Sequence, residues 1–294
     1  MYSHITSNRR KSLVLVALFI GVLAAAGYIF GYVNGAGYSG LVFALGISLA
    51  MTAFSWFFGD KIVIRSTGAK LIKSREENPY LWNLLENLSI TSGVPMPKLY
   101  IVEDDAPNAF ATGRDPEHAS VAVTTGLIRM LENEELEGVL AHELSHIKNY
   151  DMRFMMLVAV LVGALTILGD AFFRFGFSHR RGNNNQGGLV ALLGIFFLII
   201  SPLIGELIKL AVSRSREYLA DASGALMTRY PEGLARALEK ISTYNQPMER
   251  ASQATAHLWI SSPFGTSKRA TGWFSTHPPV QDRVNRLRQM TDAR

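Results

Sequence analysis

The sequence contains no cysteine among its 294 residues. This excludes disulfide bonds and thiolate-ligated metal sites, so a metal centre would have to use nitrogen or oxygen ligands. Charged residues are also scarce, at 18%, and the mean hydropathy is +0.15. So low a charged fraction, with 48% hydrophobic residues, indicates that part of the chain lies in a membrane.

Charge is absent from two long stretches near the N-terminus, residues 12–33 and 38–59. Each is long enough to cross the roughly 30 Å hydrocarbon layer as a helix. A cleaved signal peptide is the alternative for the first, but its apolar run continues past the small residues 24–26 that would form the cleavage site. Two shorter charge-free stretches, 154–169 and 189–205, bring the prediction to about four transmembrane helices.

The excess of basic residues gives a net charge of +5. These residues cluster beside the apolar stretches, which is typical of cytoplasmic loops and argues against a nucleic-acid partner. The N-terminus and the segment after the second stretch are therefore predicted to face the cytoplasm, because they carry Arg9, Arg10, Lys11, Lys61, Arg65, Lys70, Lys73 and Arg75.

The most informative motif is His-Glu-Leu-Ser-His at residues 142–146. Residues i and i+4 share one face of a helix, so His142 and His146 can bind one metal ion. Glu143 then lies beside the metal, where it can take a proton from a water held there. Acidic residues in the first turn and an apolar stripe predict a helix that begins at Asn133 as its N-cap. The pattern is the signature of zinc peptidases.

A catalytic zinc ion normally has three protein ligands, so a third donor is expected elsewhere in the chain. An antiparallel hairpin formed by the two later apolar stretches would bring Glu217 close to the height of His146. Glu217 is the predicted third ligand, and Glu206 is the alternative. Asp221, one turn beyond Glu217, can accept a hydrogen bond from a ligating histidine and fix its tautomer.

The chain resembles the HtpX-type integral-membrane zinc metallopeptidases, relatives of the membrane CAAX prenyl proteases. The residues that carry the resemblance are Asn108-Ala109-Phe110, the motif at 142–146, Arg216-Glu217-Tyr218-Leu219-Ala220-Asp221 and Ser275-Thr276-His277-Pro278-Pro279. It implies a gluzincin-like fold and one Zn2+ per chain held by His142, His146 and Glu217. It also implies cleavage of polypeptides, mainly membrane or misfolded proteins, at the cytoplasmic face of a prokaryotic inner membrane.

The predicted fold class is therefore α+β and mostly helical, with a small sheet and about four transmembrane helices. Two transmembrane helices span residues 1–59, and a cytoplasmic peptidase lobe with the zinc-binding helix spans 60–153. A transmembrane hairpin covers 154–212, and a second lobe with the third ligand covers 213–294. A prenyl-dependent CAAX protease and a non-enzymatic metal-binding membrane protein are the alternative functions.

Substrate is expected to bind as an extended strand at a sheet edge. The segment from Ser120 to Thr125 is the predicted edge, with Val121 and Val123 as contacts. Asn108 is a candidate hydrogen-bonding residue and Phe110 a candidate pocket wall, although a turn asparagine and a core phenylalanine are the simpler interpretations. His277 is a candidate donor to the oxyanion of the tetrahedral intermediate, or else a structural histidine before a helix.

Overall fold

The computed structural model describes residues 2–33, 35–178, 214–252, 254–265 and 278–292. Within these ranges the chain is mostly helical with one small mixed sheet, as predicted. The helices are α1 (Tyr2–Val33), α2 (Ser39–Thr67), α3 (Pro79–Ser92), α4 (Thr125–Met130), α5 (Asn133–Lys148), α6 (Asp151–Ser178), α7 (Arg214–Thr228), α8 (Pro231–Thr243) and α9 (Val280–Asp292). The strands are β1 (Lys70–Leu71), β2 (Lys98–Val102), β3 (Ala109–Gly113) and β4 (Ala119–Thr124).

The chain divides into two compact units. One consists of Arg9–Gly59 and Leu157–Ala211, and the other of Met1–Asn8, Asp60–Met156 and Val212–Arg294. The second unit contains the whole sheet and the predicted metal ligands.

The first unit contains most of α1 and α2, which are long and apolar enough to cross a membrane. The two helices approach closely at glycines, since a Cβ atom on Gly40 would collide with the backbone of Gly27 and Gly31. Small residues at such a crossing are typical of helix pairs in membranes. Large apolar side chains on both helices are exposed, among them Leu13, Val14, Val42, Phe43, Leu49, Phe54 and Phe57.

The structure bears out only part of the predicted set of four transmembrane helices. Residues 154–169 lie within α6, so this stretch is helical as expected. Residues 189–205 lie outside the described residues. Two candidate membrane-spanning helices are found in the described part of the chain, Arg10–Tyr32 and Ser39–Thr67.

The sheet has the order β1-β2-β4-β3. Strands β2 and β4 are parallel, with Leu99 opposite Val121, whereas β1 and β3 are antiparallel to their neighbours. Strand β4 therefore has a hydrogen-bonded neighbour on each side, and β3 is an end strand. The prediction that residues 120–125 form the sheet edge is wrong.

Two helices with well-defined ends cover the sheet. Helix α3 follows Asn78, whose Oδ1 accepts a hydrogen bond from Leu81 N at 3.0 Å, and it ends at Gly93 in the left-handed conformation. Helix α5 is capped by Glu132 rather than by Asn133, with Glu132 N donating to Glu135 Oε2 at 2.9 Å. Side chains of α3 and α5 form one hydrophobic core with the sheet, including Leu85, Leu88, Leu136, Leu140 and Leu144.

Helix α5 stops at Lys148 and does not continue into α6. Tyr150, between the two helices, has φ of 60°, a left-handed conformation that breaks the helical path. Helices α5 and α6 are therefore two separate elements. The break allows Asp151, the first residue of α6, to reach back toward α5.

Candidate metal centre and active site

Helix α5 places its two histidines as their spacing predicts. His142 and His146 are buried, and their Nε2 atoms lie 3.2 Å apart. Two nitrogen ligands about 2.0–2.1 Å from one zinc ion at a tetrahedral angle lie about 3.3 Å apart. The two imidazoles thus have the separation that a shared metal ion requires.

Helix α7 supplies the carboxylate. Glu217 Oε2 lies 3.8 Å from His142 Nε2, and Glu217 Oε1 lies 3.7 Å from His146 Nε2. One ligand atom from each of the three side chains lies within 4.8 Å of the other two. Two imidazole nitrogens and one carboxylate oxygen form a donor set suited to a catalytic zinc ion that keeps an open position.

Gly224 brings α7 close to α5. A Cβ atom at this position would lie 3.0 Å from His142 N and 3.2 Å from the carbonyl carbon of Ala141. The backbones of the two helices therefore touch near the first histidine, and only glycine permits this approach without displacement.

An aspartate lies behind each histidine. Asp221 Oδ1 is 3.0 Å from His142 Nδ1, and Asp151 Oδ2 is 3.1 Å from His146 Nδ1. Each carboxylate favours the tautomer with the proton on Nδ1, which leaves Nε2 with a lone pair directed at the metal position. The role predicted for Asp221 therefore has matching geometry, whereas the sequence reasoning missed Asp151.

Each aspartate in turn faces a buried arginine. Arg283 of α9 donates to both carboxylate oxygens of Asp221, at 2.7 and 2.9 Å. Arg216 Nε lies 3.6 Å from Asp151 Oδ1, and its two terminal nitrogens have no hydrogen-bond partner among the described residues. Each histidine thus contacts an aspartate that faces an arginine. The Asp221–Arg283 pair is closely hydrogen-bonded, whereas the Asp151–Arg216 pair is more widely separated.

The charges of this buried cluster suit a divalent cation. Its four carboxylates belong to Glu143, Asp151, Glu217 and Asp221, and its two guanidinium groups to Arg216 and Arg283. When all of them are ionised, two negative charges are left without a partner charge. Because unbalanced buried charge is costly, a divalent metal ion would stabilise the cluster.

Glu143 is almost completely buried next to the histidines. Burial raises the pKa of its carboxyl group to about 7, an effect that the charge of Glu217 reinforces and that His146 and Arg283 oppose. The backbone N–H of Ala111 on β3 also lowers the pKa of this carboxyl group and so favours its ionised form. A carboxyl group with a pKa near neutrality can both accept and release a proton at physiological pH.

Burial affects the two histidines differently because their neighbours differ. For His142, burial lowers the pKa to about 4, although the hydrogen bond to Asp221 opposes this. For His146, burial also lowers the pKa, but the hydrogen bond to Asp151 and the charge of Glu217 outweigh it and raise the pKa to about 9. In the metal-free protein His146 is thus the histidine that holds a proton.

The residues expected to bind substrate lie inside the protein. Val121 and Val123 are fully buried in the core, so their assignment as substrate contacts is wrong. The Asn108 side chain forms two hydrogen bonds with the backbone of Ser261. Its Nδ2 donates to Ser261 O at 3.0 Å, and its Oδ1 accepts from Ser261 N at 3.1 Å. Phe110 is fully buried and packs edge-on against Trp259.

Asn108 and Phe110 therefore contact other parts of the same chain. The simpler interpretation of Phe110 as a core residue is correct. His277 and Glu206 lie outside the described residues. The sequence reasoning also missed Arg283, although its position in the sequence indicates a buried arginine. It lies on the apolar stripe of α9 with Val280, Val284 and Leu287, where an arginine must have a buried partner.

The His-Glu-x-x-His helix, the glutamate from a second helix and the adjacent acid define a metal-dependent peptidase. The chain belongs to Peptidase family M48, whose model matches residues 75–291. It is a metalloprotease acting on polypeptides, and the alternative of a non-enzymatic metal-binding protein is wrong.

Curated relatives support this assignment over the full length. The chain is 46% identical to the protease HtpX homolog of Tropheryma whipplei (strain Twist), over 99% of this chain and 98% of the relative. It is 44% identical to that of Thermoanaerobacter pseudethanolicus, with the same coverage. The homolog of Listeria monocytogenes serotype 4a is 40% identical, over 99% of this chain and all of the relative.

One solved structure is also similar. The crystal structure of S. mikatae Ste24p aligns with a TM-score of 0.46 and 17% identity, over 98% of this chain and 67% of that one.

Proposed function

We propose that the chain is a zinc-dependent endopeptidase of a prokaryotic cytoplasmic membrane, with its active site facing the cytoplasm and membrane or misfolded proteins as substrates. The observation that carries the proposal is the convergence of His142, His146 and Glu217 beside the buried carboxyl group of Glu143. In this proposal the cytoplasmic peptidase part combines residues 60–153 and 213–294, and residues 1–59 and 154–212 are the membrane segments.

Zinc is the proposed metal because His142 and His146 offer nitrogen and Glu217 offers oxygen, a borderline-soft set that suits this ion. When bound, zinc supplies Lewis-acid polarisation of a water molecule and of the scissile carbonyl group. Asp221 and Asp151 hold the imidazole rings in position through their Nδ1 atoms.

Glu143 is the proposed general base. Its carboxylate accepts a proton from the attacking water and then delivers that proton to the leaving amine as the peptide bond breaks. Burial raises the pKa of this carboxyl group, which makes Glu143 a better proton acceptor than an exposed glutamate. His277 stays a predicted donor to the developing oxyanion.

Strand β3 is the proposed substrate-binding edge in place of β4. It is the end strand of the sheet, and the backbone N–H of its Ala111 lies close enough to the Glu143 carboxyl group to lower the pKa of that group. An extended peptide pairing with β3 near Ala111 would therefore have its backbone next to the general base.

The membrane assignment is supported by the side chains of α1 and α2. Their exposed leucine, valine and phenylalanine residues would be unfavourable in water and are stable against lipid. The basic residues in the N-terminal part of α1 and at the end of α2 favour the cytoplasm for both ends of the pair. An active site on the cytoplasmic side suits cleavage of membrane proteins that have lost their native structure, a role in protein quality control.

The test uses the full-length protein in detergent micelles, with an unfolded helical membrane protein as substrate. We expect stoichiometric zinc and cleavage in the parent. Glu143→Gln should retain the zinc but cleave about 10²- to 10⁴-fold more slowly, because the general base is lost. Glu217→Ala should lose zinc during mild chelation.

Glu137→Gln is the matched control, since Glu137 lies on the same helix, is half-buried and is not one of the proposed metal ligands. It should behave as the parent does in both measurements. Undiminished cleavage by Glu143→Gln would refute the proposed base, and zinc retention by Glu217→Ala equal to that of the parent would refute the third ligand.

A further inference from the structure

The outer edge of β3 can be assigned residue by residue. Thr124 N donates to Asn108 O at 3.0 Å, so the backbone groups of residue 108 point toward β4. Because orientation alternates along a strand, those of Phe110 and Thr112 do the same, and those of Ala109 and Ala111 point away from the sheet. The hydrogen bond from Ile260 N to Ala109 O agrees with this alternation.

A segment of the chain already occupies part of that edge. Ile260 N donates to Ala109 O at 2.9 Å, which is the bond that a paired substrate strand would make at this position. One residue further along, the Asn108 amide bonds to both the N–H and the C=O of Ser261. The asparagine side chain thus extends the edge of the sheet by one residue, and Trp259–Ser261 lies along it.

Packing holds this segment against β3. The Trp259 and Phe110 rings are 4.6 Å apart in an edge-to-face arrangement, and both side chains are buried. The loop that leads to the segment is also tied down, since Met248 N donates to Pro263 O at 2.9 Å and Glu249 N donates to Asp104 Oδ2 at 2.9 Å. These contacts hold Trp259–Ser261 as a fixed wall.

We propose that Trp259–Ser261 determines substrate specificity by blocking the outer edge of β3 at Ala109. The inference rests on the proposed function, in which a substrate pairs with β3 at Ala111. Ala109 lies two residues away on the same edge, about 6.8 Å along the strand. A substrate that extends in this direction meets Ile260 after about two residues, so the favoured substrates are polypeptides whose chain ends or bends there.

The test compares two series of peptides built on one cleaved sequence. One series is lengthened on the N-terminal side of the scissile bond and the other on the C-terminal side. In the zinc-loaded parent we expect kcat/KM to stop rising after about two residues in one series only, because further residues find no free edge.

Two variants loosen the wall without touching the metal ligands. Asn108→Ala removes both side-chain bonds to Ser261, and Ser261→Pro removes the N–H that donates to Asn108. Ser261→Ala is the matched control because it keeps the backbone N–H. In both loosened variants the longer peptides of the limited series should gain about two- to tenfold in kcat/KM, the worth of one added hydrogen bond.

The shortest peptides and Ser261→Ala should show the parent values. Two results would refute the proposal. One is the same dependence of kcat/KM on peptide length in the parent and in both loosened variants, and the other is a kcat/KM that keeps rising with length in both series of the parent. If one variant does not fold, as judged by thermal unfolding and zinc content, the other decides the question. Failure of the zinc-loaded parent to cleave any peptide would refute the proposed function and, with it, the wall.

Discussion

Arg283 binds both carboxylate oxygens of Asp221 through Nε and Nη2, at 2.9 and 2.7 Å, and all of these atoms belong to buried side chains. Asp221 in turn holds Nδ1 of His142. The C-terminal helix α9 is thus bonded, through one aspartate, to a residue of the predicted metal site on α5. Loss of this arginine would leave a buried carboxylate without its partner charge and free to rotate away from the histidine.

Replacement of Arg283 by methionine should therefore weaken metal binding. We expect the zinc dissociation constant, measured by competition with a chromogenic chelator, to rise about 10- to 100-fold. Arg283→Lys should have an intermediate effect, since lysine keeps the positive charge but cannot form the bidentate hydrogen bonds with Asp221.

Arg288→Met on the same helix is the control for this experiment. Arg288 bonds Glu232 and Glu239 at the protein surface and touches no part of the metal site. It should cost about 1 kcal/mol of stability or less and leave the zinc affinity unchanged. If both methionine variants bind zinc equally, α9 acts only by packing.

The metal-free protein should lose stability as pH rises from 4.5 to about 7, because of Glu143. The folded state raises the pKa of this carboxyl group from 4.5 to about 7, so in this range the folded protein holds a proton that the unfolded chain has released. Stability then falls with increasing pH, by on the order of 3 kcal/mol in total for this group.

Thermal unfolding of chelator-treated protein across this range measures the effect. Glu143→Gln cannot titrate at this position, so its stability should fall less steeply than that of the parent between pH 4.5 and 7. Parallel curves for the two proteins would mean that the carboxyl group ionises in the folded state as it does in the unfolded chain.

Membrane topology can be tested cleanly because the chain has no cysteine. Ala36, between α1 and α2, and Arg75, after α2, are both exposed, and each can be replaced by a single cysteine. In intact cells a membrane-impermeant maleimide should label Ala36→Cys, and should label Arg75→Cys only after the membrane is permeabilised. The opposite pattern would place the active site outside the cytoplasm.

Local patterns in the sequence were sufficient to predict the helix that carries the histidine pair. Its acidic first turn and apolar stripe mark α5, and the spacing of His142 and His146 places both on one helix face wherever that helix packs. The approach of Glu217 followed from the order of elements along the chain. These features depend on contacts within a few residues or on simple chain geometry.

The features that were missed depend on long-range packing. Strand β3 has the sequence Ala-Phe-Ala-Thr-Gly, in which only Phe110 and Thr112 are typical of strands. The edge was predicted at residues 120–125 instead, because that segment immediately precedes the zinc-binding helix. Asp151 reaches His146 only because Tyr150 adopts a left-handed conformation. No local pattern in the sequence marks the segment around Ser261, because its bonds to Asn108 join residues 153 positions apart.

Gly224 is the position where a single methyl group should disturb the metal site most directly. In Gly224→Ala the new Cβ would lie 3.0 Å from His142 N and 3.3 Å from His142 Cα, so α5 and α7 must move apart by a few tenths of an ångström. The alanine gains about 1 kcal/mol in helix propensity, but the overpacked contact costs about 1–3 kcal/mol. We expect a net loss of stability together with weaker zinc binding, since Glu217 lies two turns earlier on the helix that is displaced.

The measurements for Gly224→Ala are the unfolding temperature and the zinc dissociation constant of the full-length protein. Leu226→Ala is the control, because Leu226 is exposed on the same helix and its replacement leaves the contact with α5 intact. A higher unfolding temperature with parental zinc affinity in Gly224→Ala would show that the two helices tolerate a wider separation. The close approach at Gly224 would then serve packing alone, and the distance between Glu217 and the histidines would depend on other contacts such as Arg283 with Asp221.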